Sequence, residues 1–167
     1  MSTTVIVNII RFILLIGAQV IIFDNMTLFG YANAFPYLLF ILLFPVDGNK
    51  HVLLLSSFFL GLIMDMFDNS GGVHAASCLV LAYVRPAIFK FSFGLSYEYQ
   101  TIRINDVLTP ERFSFILIAV VVHHLTLFVL EFFRFAVWTI LLRTLTSTIY
   151  TILMCVILIY LFKPSRR

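Results

Sequence analysis

The chain of 167 residues is 62% hydrophobic and only 11% charged, whereas an average soluble domain is about 45–50% apolar. This composition excludes a soluble globular protein. Several membrane spans of about 20 residues each would leave no room for a separate soluble catalytic or ligand-binding domain. The net charge of +3 comes from basic residues scattered at the ends of apolar runs, a pattern that indicates membrane topology and not nucleic-acid binding.

Apolar runs divide the chain into six predicted transmembrane helices in one all-α domain. The second run is the weakest, because it has only about 13 residues, with Pro36 near its start and Pro45 at its end. The fifth helix is expected to begin at Pro110, directly after the capping residue Thr109. The six spans cover about residues 5–23, 34–46, 52–67, 73–91, 112–135 and 138–162, with one long polar loop at about 92–111.

The basic residues favour a topology in which both termini face the cytoplasm of a bacterial inner membrane, because cytoplasmic loops carry more lysine and arginine. The outer turns after the first and third spans then carry the acids Asp24 and Asp68. Arg134 and Arg143 at the last outer turn oppose this orientation, although Glu131 can pair with Arg134 one helical turn away. The cytoplasmic side receives Lys50, Arg85, Lys90, Arg103, Arg112, Lys163, Arg166 and Arg167.

Polar residues inside the spans are the candidate functional groups, because they are costly in lipid. Ser57, Gly61 and Asp65 are spaced four apart and therefore lie on one face of the third span. Small residues at this spacing allow close helix contact, so the face predicts a packed interface or pocket in which Asp65 meets a partner cation or hydrogen-bond donor. A solvated acid at a helix end is the alternative. The turn Gly71-Gly72 is expected to connect two packed helices.

Five further polar residues are candidates of lower rank. Gln19 at the outer end of the first span is expected to hydrogen-bond another helix. Arg11 either has a function inside the span or extends to the nearby cytoplasmic surface. Arg85 is expected to be structural and to reach lipid headgroups or loop carboxylates. His74 and Glu131 complete the set of candidates for a partner contact or a pocket.

The histidine pair His123-His124 lies near the middle of the fifth span. Adjacent side chains on a helix point about 100° apart, so both cannot face one ion. Hydrogen bonds between helices are therefore favoured over a metal site or a proton relay. Cys78 and Cys155 are expected to be packing residues. No cofactor is expected, and catalysis is not expected because GxSxG, HExxH, P-loop and GxGxxG motifs are absent from the sequence.

Four short motifs in the middle of the chain occur in the order seen in one bacterial family. They are Pro36-Tyr37-Leu38-Leu39, then Phe59-Leu60-Gly61-Leu62-Ile63-Met64-Asp65, then Gly72-Val73, and finally Ala82-Tyr83. The chain resembles MreD, the rod-shape-determining membrane protein family, from about Gln19 to Pro86. Gly61 and Asp65, followed by the glycine-bearing turn, are the most specific part of the resemblance. His123-His124 and Leu130-Glu131 look like the version found in Bacteroidetes-type relatives.

The resemblance implies a non-catalytic scaffold of the cell-elongation complex. Its implied partners are MreC and, through it, MreB, RodA and the penicillin-binding transpeptidase of peptidoglycan synthesis. The family also looks related in fold to the substrate-binding subunits of energy-coupling-factor vitamin transporters, which have a ligand pocket near the outer face. A vitamin-like transporter subunit is therefore the alternative. Those subunits carry an Ala-xxx-Ala motif on the first helix for their coupling partner, whereas the first span here has only Ala18.

Overall fold

The structure, a computed structural model, describes residues 3–28, 30–94, 109–132 and 136–161. This part of the chain is almost entirely helical, as the sequence predicts. A π-helix, Gln19–Phe23, continues the first helix, and a 3-10 turn, Pro36–Leu38, precedes the second. The α-helices are α1 (Thr3–Ala18), α2 (Leu39–Leu42), α3 (Lys50–Asp68), α4 (Val73–Phe93), α5 (Pro110–Glu131) and α6 (Val137–Leu161).

Within these described ranges, five helices are long and apolar enough to cross a membrane: α1 with its π-helical end, and α3 to α6. The chain is therefore a multi-pass membrane protein with an all-α fold, as predicted. The predicted start of α5 is also confirmed, because Thr109 Oγ1 accepts a hydrogen bond from the Arg112 N–H at 3.4 Å. Arg134, the predicted partner of Glu131, lies outside the described residues. Most of the 92–111 loop also lies outside them.

Helices α3 to α6 pack one against the next in chain order. In contrast, α1 contacts mainly residues 34–46, which contain α2 and are called the short segment. The α3–α4 pair is the closest. At Gly61 there is no room for a Cβ, because it would collide with the backbone of His74 and Ala75. At the opposite end of α4, the aromatic ring of Phe89 packs on Phe115 of α5 at a centroid distance of 4.2 Å.

Residues 34–46, predicted as the second span, form no long helix. They consist of the 3-10 turn and the single turn α2, and their side chains are almost all buried. Near the start of this segment the Tyr37 hydroxyl contacts His74 at 2.7 Å, and near its end the Phe44 carbonyl accepts a hydrogen bond from Arg85. His74 and Arg85 are separated by about 16 Å along α4. The segment therefore passes through the interior of the bundle, from the "His74 end" to the "Arg85 end".

Two guanidinium groups cap the end of this short segment, where backbone carbonyls lack helical partners. Arg11 of α1 donates to the Leu43 carbonyl at 3.1 Å, and Arg85 of α4 donates to the carbonyls of Leu42 and Phe44. Arg85 is buried and also lies 4.8 Å from the centre of the Phe89 ring. Among the described residues both arginines thus bind the protein's own backbone. The structural role expected of Arg85 is confirmed, but its partners are backbone carbonyls and not headgroups or loop carboxylates.

We expect Arg85→Met to lower the free energy of unfolding by about 1–2 kcal/mol, because a hydrogen bond inside a membrane protein contributes roughly this much. Removing a buried charge offsets part of the loss. The midpoint of SDS-induced unfolding in detergent measures the change. Tyr83→Phe on the same helix is the control, because Tyr83 is exposed and its replacement should leave the midpoint unchanged. An Arg85→Met protein as stable as the wild type would show that the cap is dispensable.

Candidate functional site

Asp65, near the end of α3, caps the N-terminus of α4. Its Oδ1 accepts hydrogen bonds from the His74 N–H at 2.9 Å and from the Ser70 hydroxyl, and its Oδ2 accepts one from the Ala75 N–H at 2.9 Å. The first N–H groups of a helix have no partner within the helix, and a carboxylate there also meets the positive end of the helix dipole. The carboxylate is thus buried and occupied by donors of this chain, not presented to a partner as the sequence suggested.

Ser57 and Gly61 lie with Asp65 on the buried face of α3, as their spacing predicts. Gly61 faces the backbone of α4, so this face forms a packed contact within the chain. The turn that joins α3 to α4 needs residues with positive φ, and it uses Gly71 at 67° and Gly72 at 98°. The expected tight connection is therefore present.

A hydrogen-bond chain connects four elements at the His74 end: α3, α4, the 3-10 turn and α5. Asp68 Oδ2 lies 3.2 Å from Nε2 of His74, whose Nδ1 lies 2.7 Å from the Tyr37 hydroxyl. The same hydroxyl lies 3.1 Å from Nε2 of His123 on α5. Tyr37 and His123 are fully buried, whereas the Asp68 side chain is 30% exposed. We call Asp68, His74, Tyr37 and His123 the polar chain.

His124 belongs to a separate set of hydrogen bonds. Its Nδ1 lies 2.8 Å from the Val120 carbonyl, which can only accept, so Nδ1 carries the proton. Its Nε2 therefore accepts from the Thr151 hydroxyl of α6 at 3.1 Å, and that hydroxyl oxygen accepts from the Phe35 N–H at 3.0 Å. The two histidines thus face different elements, and both make the contacts between elements that the sequence favoured.

A cavity of about 550 Å³ opens at the His74 end, within the size range of small-molecule sites. Its polar walls are rich in hydrogen-bond acceptors. Burial raises the pKa of the Asp24 carboxyl, although the hydrogen bond from Gln19 opposes the shift. The lining includes Asp24, Asn33, Phe35, Asp68, His74 and Glu131.

Two predicted candidates lie at this end of the bundle: Gln19, which contacts the cavity-lining Asp24, and Glu131, which lines the cavity itself. Gln19 is buried, and its Nε2 donates to Asp24 Oδ1 at 2.7 Å and to the Ala34 carbonyl at 3.1 Å. It thus fixes the connection that follows α1, instead of bonding another helix. Glu131 lies 3.8 Å from Arg143 of α6, and both side chains are partly exposed.

A second, apolar cavity of about 730 Å³ lies at the Arg85 end, between α1, the short segment and α3. Its walls are mostly hydrocarbon and aromatic. We call this cavity the α1–α3 groove, and its lining includes Ile9, Phe12, Phe44, Val52, Ser56 and Phe59.

Three residues of the polar chain and of the His124 hydrogen bonds were not among the predicted candidates: Tyr37, Asp68 and Thr151. Tyr37 had a signal in the sequence, because a tyrosine hydroxyl within an apolar run needs a partner. Asp68 was assigned to an exposed turn, and Thr151 resembles the other hydroxyl residues of the last span. Only the contacts across elements distinguish these two from their neighbours.

No family model, curated protein or solved structure matches this chain. Among the residues that the structure describes, no group of three or more histidine, cysteine, aspartate or glutamate side chains is placed to hold a metal ion. Cys78 and Cys155 are buried free thiols. The function must therefore be inferred from the geometry and from the family resemblance.

Proposed function

We propose that this protein is a non-catalytic scaffold of the bacterial cell-elongation complex, similar to MreD, that docks the transmembrane segment of MreC. Through MreC it would act with MreB, RodA and a penicillin-binding transpeptidase. The observation that supports this proposal is the exposure of α1, which contacts mainly the short segment and leaves the α1–α3 groove open. Helices associate in lipid through close packing, so an open apolar groove is suited to a further helix.

The orientation proposed is the inner membrane with both termini in the cytoplasm. The His74 end would then face outward with its acids, and the Arg85 end would face the cytoplasm, where basic residues are favoured. The α1–α3 groove would lie in the cytoplasmic half of the bilayer. A transmembrane segment of MreC would enter it sideways through the lipid.

Filling the groove with a large side chain should block docking. We expect Ser56→Trp to reduce the amount of MreC that co-purifies by at least about tenfold, because lost packing of about 1.4 kcal/mol corresponds to that factor. Ser56 lines the groove. The readout is the ratio of MreC to this protein after affinity purification in mild detergent.

The matched control is Leu55→Trp, because Leu55 is 60% exposed on the same helix and does not line the groove. This variant should capture MreC as the wild type does. If Ser56→Trp captures as much MreC as the wild type does, the docking site lies elsewhere. If both variants lose MreC to the same extent, α3 has a general defect.

The proposed function itself is tested by purifying the wild-type protein from its native membrane and identifying what is bound. Recovery of MreC with cell-wall synthases supports the scaffold. Recovery of a coupling subunit with ATPases, without MreC, would contradict it.

The cavity at the His74 end favours the second candidate, a substrate-binding subunit of a vitamin-like transporter. Its volume of about 550 Å³ and its acceptor-rich wall would suit a small ligand that carries hydrogen-bond donors. A stoichiometric small molecule retained after purification would support this candidate over the scaffold.

A further inference from the structure

The two walls of the α1–α3 groove are helix faces of equal length. On each helix the wall residues are spaced four and three apart, so they lie on one side of that helix. The wall residues are Val5, Ile9 and Phe12 on α1, and Val52, Ser56 and Phe59 on α3. Each wall therefore extends for about 10 Å along its helix. The groove thus matches about two turns of one further helix.

Two buried aromatic rings of the short segment, Phe40 and Phe44, also line the groove, between its walls. The Phe40 ring packs edge-on against Phe44 at a centroid distance of 6.1 Å and against Phe12 of α1 at 5.2 Å. These contacts hold the rings in place, so a partner does not have to order this surface when it binds.

The uncharged polar side chains of the groove already have partners within the chain. The Ser56 hydroxyl donates to backbone carbonyls of its own helix. Oδ1 of Asn49 caps the N-terminus of α3, and Oδ1 of Asn8 accepts from Arg11 at 3.2 Å. The walls thus offer a partner mainly hydrocarbon and aromatic surface.

Of the described residues that line the groove, only Asp47 carries a charge. It is exposed in the turn between the short segment and α3, at the Arg85 end. Within the described ranges no hydrogen bond or ion pair reaches its carboxylate. An apolar groove with an unpaired acid at its mouth is complementary to an apolar helix that ends in a cation.

We propose that the α1–α3 groove receives the end of a single partner helix whose lysine or arginine pairs with Asp47. This inference rests on the proposed docking of a transmembrane segment, and it adds the depth and the charge of that segment. Transmembrane helices carry their basic residues at the cytoplasmic end, which is the side where the proposed orientation puts Asp47. A phospholipid fits less well, because its phosphate would lie beside the Asp47 carboxylate and like charges repel.

The ion pair would fix how deeply the partner lies. Phe59 is about 10 Å further along α3 than Val52, which is the wall residue of α3 nearest to Asp47 in the sequence. Phe59 therefore faces a partner residue roughly two to three helical turns from the basic one.

Photo-cross-linking in the native membrane tests this arrangement. The photoreactive p-benzoylphenylalanine replaces Phe59, an aromatic wall residue that is 48% exposed, in the full-length protein. Mass spectrometry then identifies the residue to which it is attached after irradiation. We expect a transmembrane helix, attached roughly two to three turns from a lysine or arginine at its cytoplasmic end. Attachment only to lipid, to a second copy of this chain, or to a helix without that basic residue overturns the proposal.

Charge variants of Asp47 test the ion pair itself. Asp47→Lys should lower the cross-linked fraction at least about tenfold, because two positive charges then face each other. Asp47→Asn should lower it about two- to fivefold, as expected for the loss of an exposed ion pair, and Asp47→Glu should retain it. Changing the partner's basic residue to glutamate should restore the Asp47→Lys cross-link. An Asp47→Lys yield equal to that of the wild type overturns the proposal.

Glu111→Lys is the matched control, because Glu111 is an exposed acid that does not line the groove. It lies near the start of α5, at the same end of the bundle as Asp47, since Phe115 of α5 packs on Phe89 of α4. Its cross-linked fraction should equal that of the wild type. An equal loss in Glu111→Lys and Asp47→Lys would show a general effect of surface charge and would overturn the specific pair.

The identity of the cross-linked protein tests the proposed function separately. A helix with the expected position and charge dependence that comes from a protein other than MreC would contradict MreC docking and support this inference. MreC cross-linked without any dependence on Asp47 would support the scaffold and overturn this inference. The position of the cross-link in the protein with native Asp47 is decisive even if Asp47→Lys fails to fold, which circular dichroism would detect.

Discussion

Gly61→Ala is expected to push α3 and α4 apart and to lower the free energy of unfolding by about 3 kcal/mol, the upper part of the usual range for overpacking. The added Cβ would meet the backbone of His74 and Ala75. A backbone cannot move aside as a flexible side chain can, so a whole helix must shift. The midpoint of SDS-induced unfolding and the yield of monodisperse protein in detergent measure the effect.

Gly17→Ala provides the matched control. It makes the same chemical change in the middle of a predicted span, but nothing lies within 4 Å of the position of its new Cβ. We expect no loss of stability there, because alanine favours a helix more than glycine does. A Gly61→Ala protein as stable as Gly17→Ala would mean that the close contact is relieved at little cost.

Asp65→Ala is expected to lower the free energy of unfolding by about 2–4 kcal/mol, since hydrogen bonds to a charged group contribute about 1.5–3 kcal/mol each and the bonds are not additive. The change removes the acceptors of the His74 and Ala75 N–H groups and of the Ser70 hydroxyl. The start of α4 should fray, which hydrogen exchange of its first turn would detect as faster exchange.

Exposed Asp47 is the control acid, and Asp47→Ala should change stability by less than about 0.5 kcal/mol. If Asp65 contacted a partner, as the sequence suggested, Asp65→Ala would weaken partner capture without lowering membrane insertion. From the structure we expect MreC capture to fall only as far as folded protein is lost. Normal stability with lost capture would instead favour an interface role for Asp65.

The long helices could be predicted from the sequence because their signals are local. Thr109 and Pro110 are a capping residue and a proline at the first helical position, and α5 begins at Pro110. The spacing of Ser57, Gly61 and Asp65 also predicted a shared packed face correctly, because helical periodicity is a local property.

The short segment could be predicted only in part. Its apolar run correctly indicated a stretch shielded from water, and its length and prolines indicated a poor span. Its conformation depends on Arg11 and Arg85, which are distant in sequence and supply donors to its last carbonyls. No local pattern reveals such a cap, so the role of Arg11 was left open and Arg85 was assigned to headgroup or loop contacts.

In the candidate site, too, features with a local signal could be predicted from the sequence, whereas contacts to distant residues could not. The angle between neighbouring residues on a helix predicted that His123 and His124 diverge, and they contact Tyr37 and Thr151 respectively. The identity of those partners could not be predicted, because each lies on an element that is far away in the sequence. The role of Asp65 was similarly obscured, since its donors belong to the next helix.

The buried short segment also constrains how the protein is made. A stretch of about 13 residues is too short to be recognised as a stand-alone span during synthesis, which requires about 20. The carbonyls at its end are capped by side chains of α1 and α4, and α4 is synthesised after the segment. We therefore expect the segment to reach its buried position only once α4 is in the bilayer, so that membrane insertion and tertiary folding of this chain finish together.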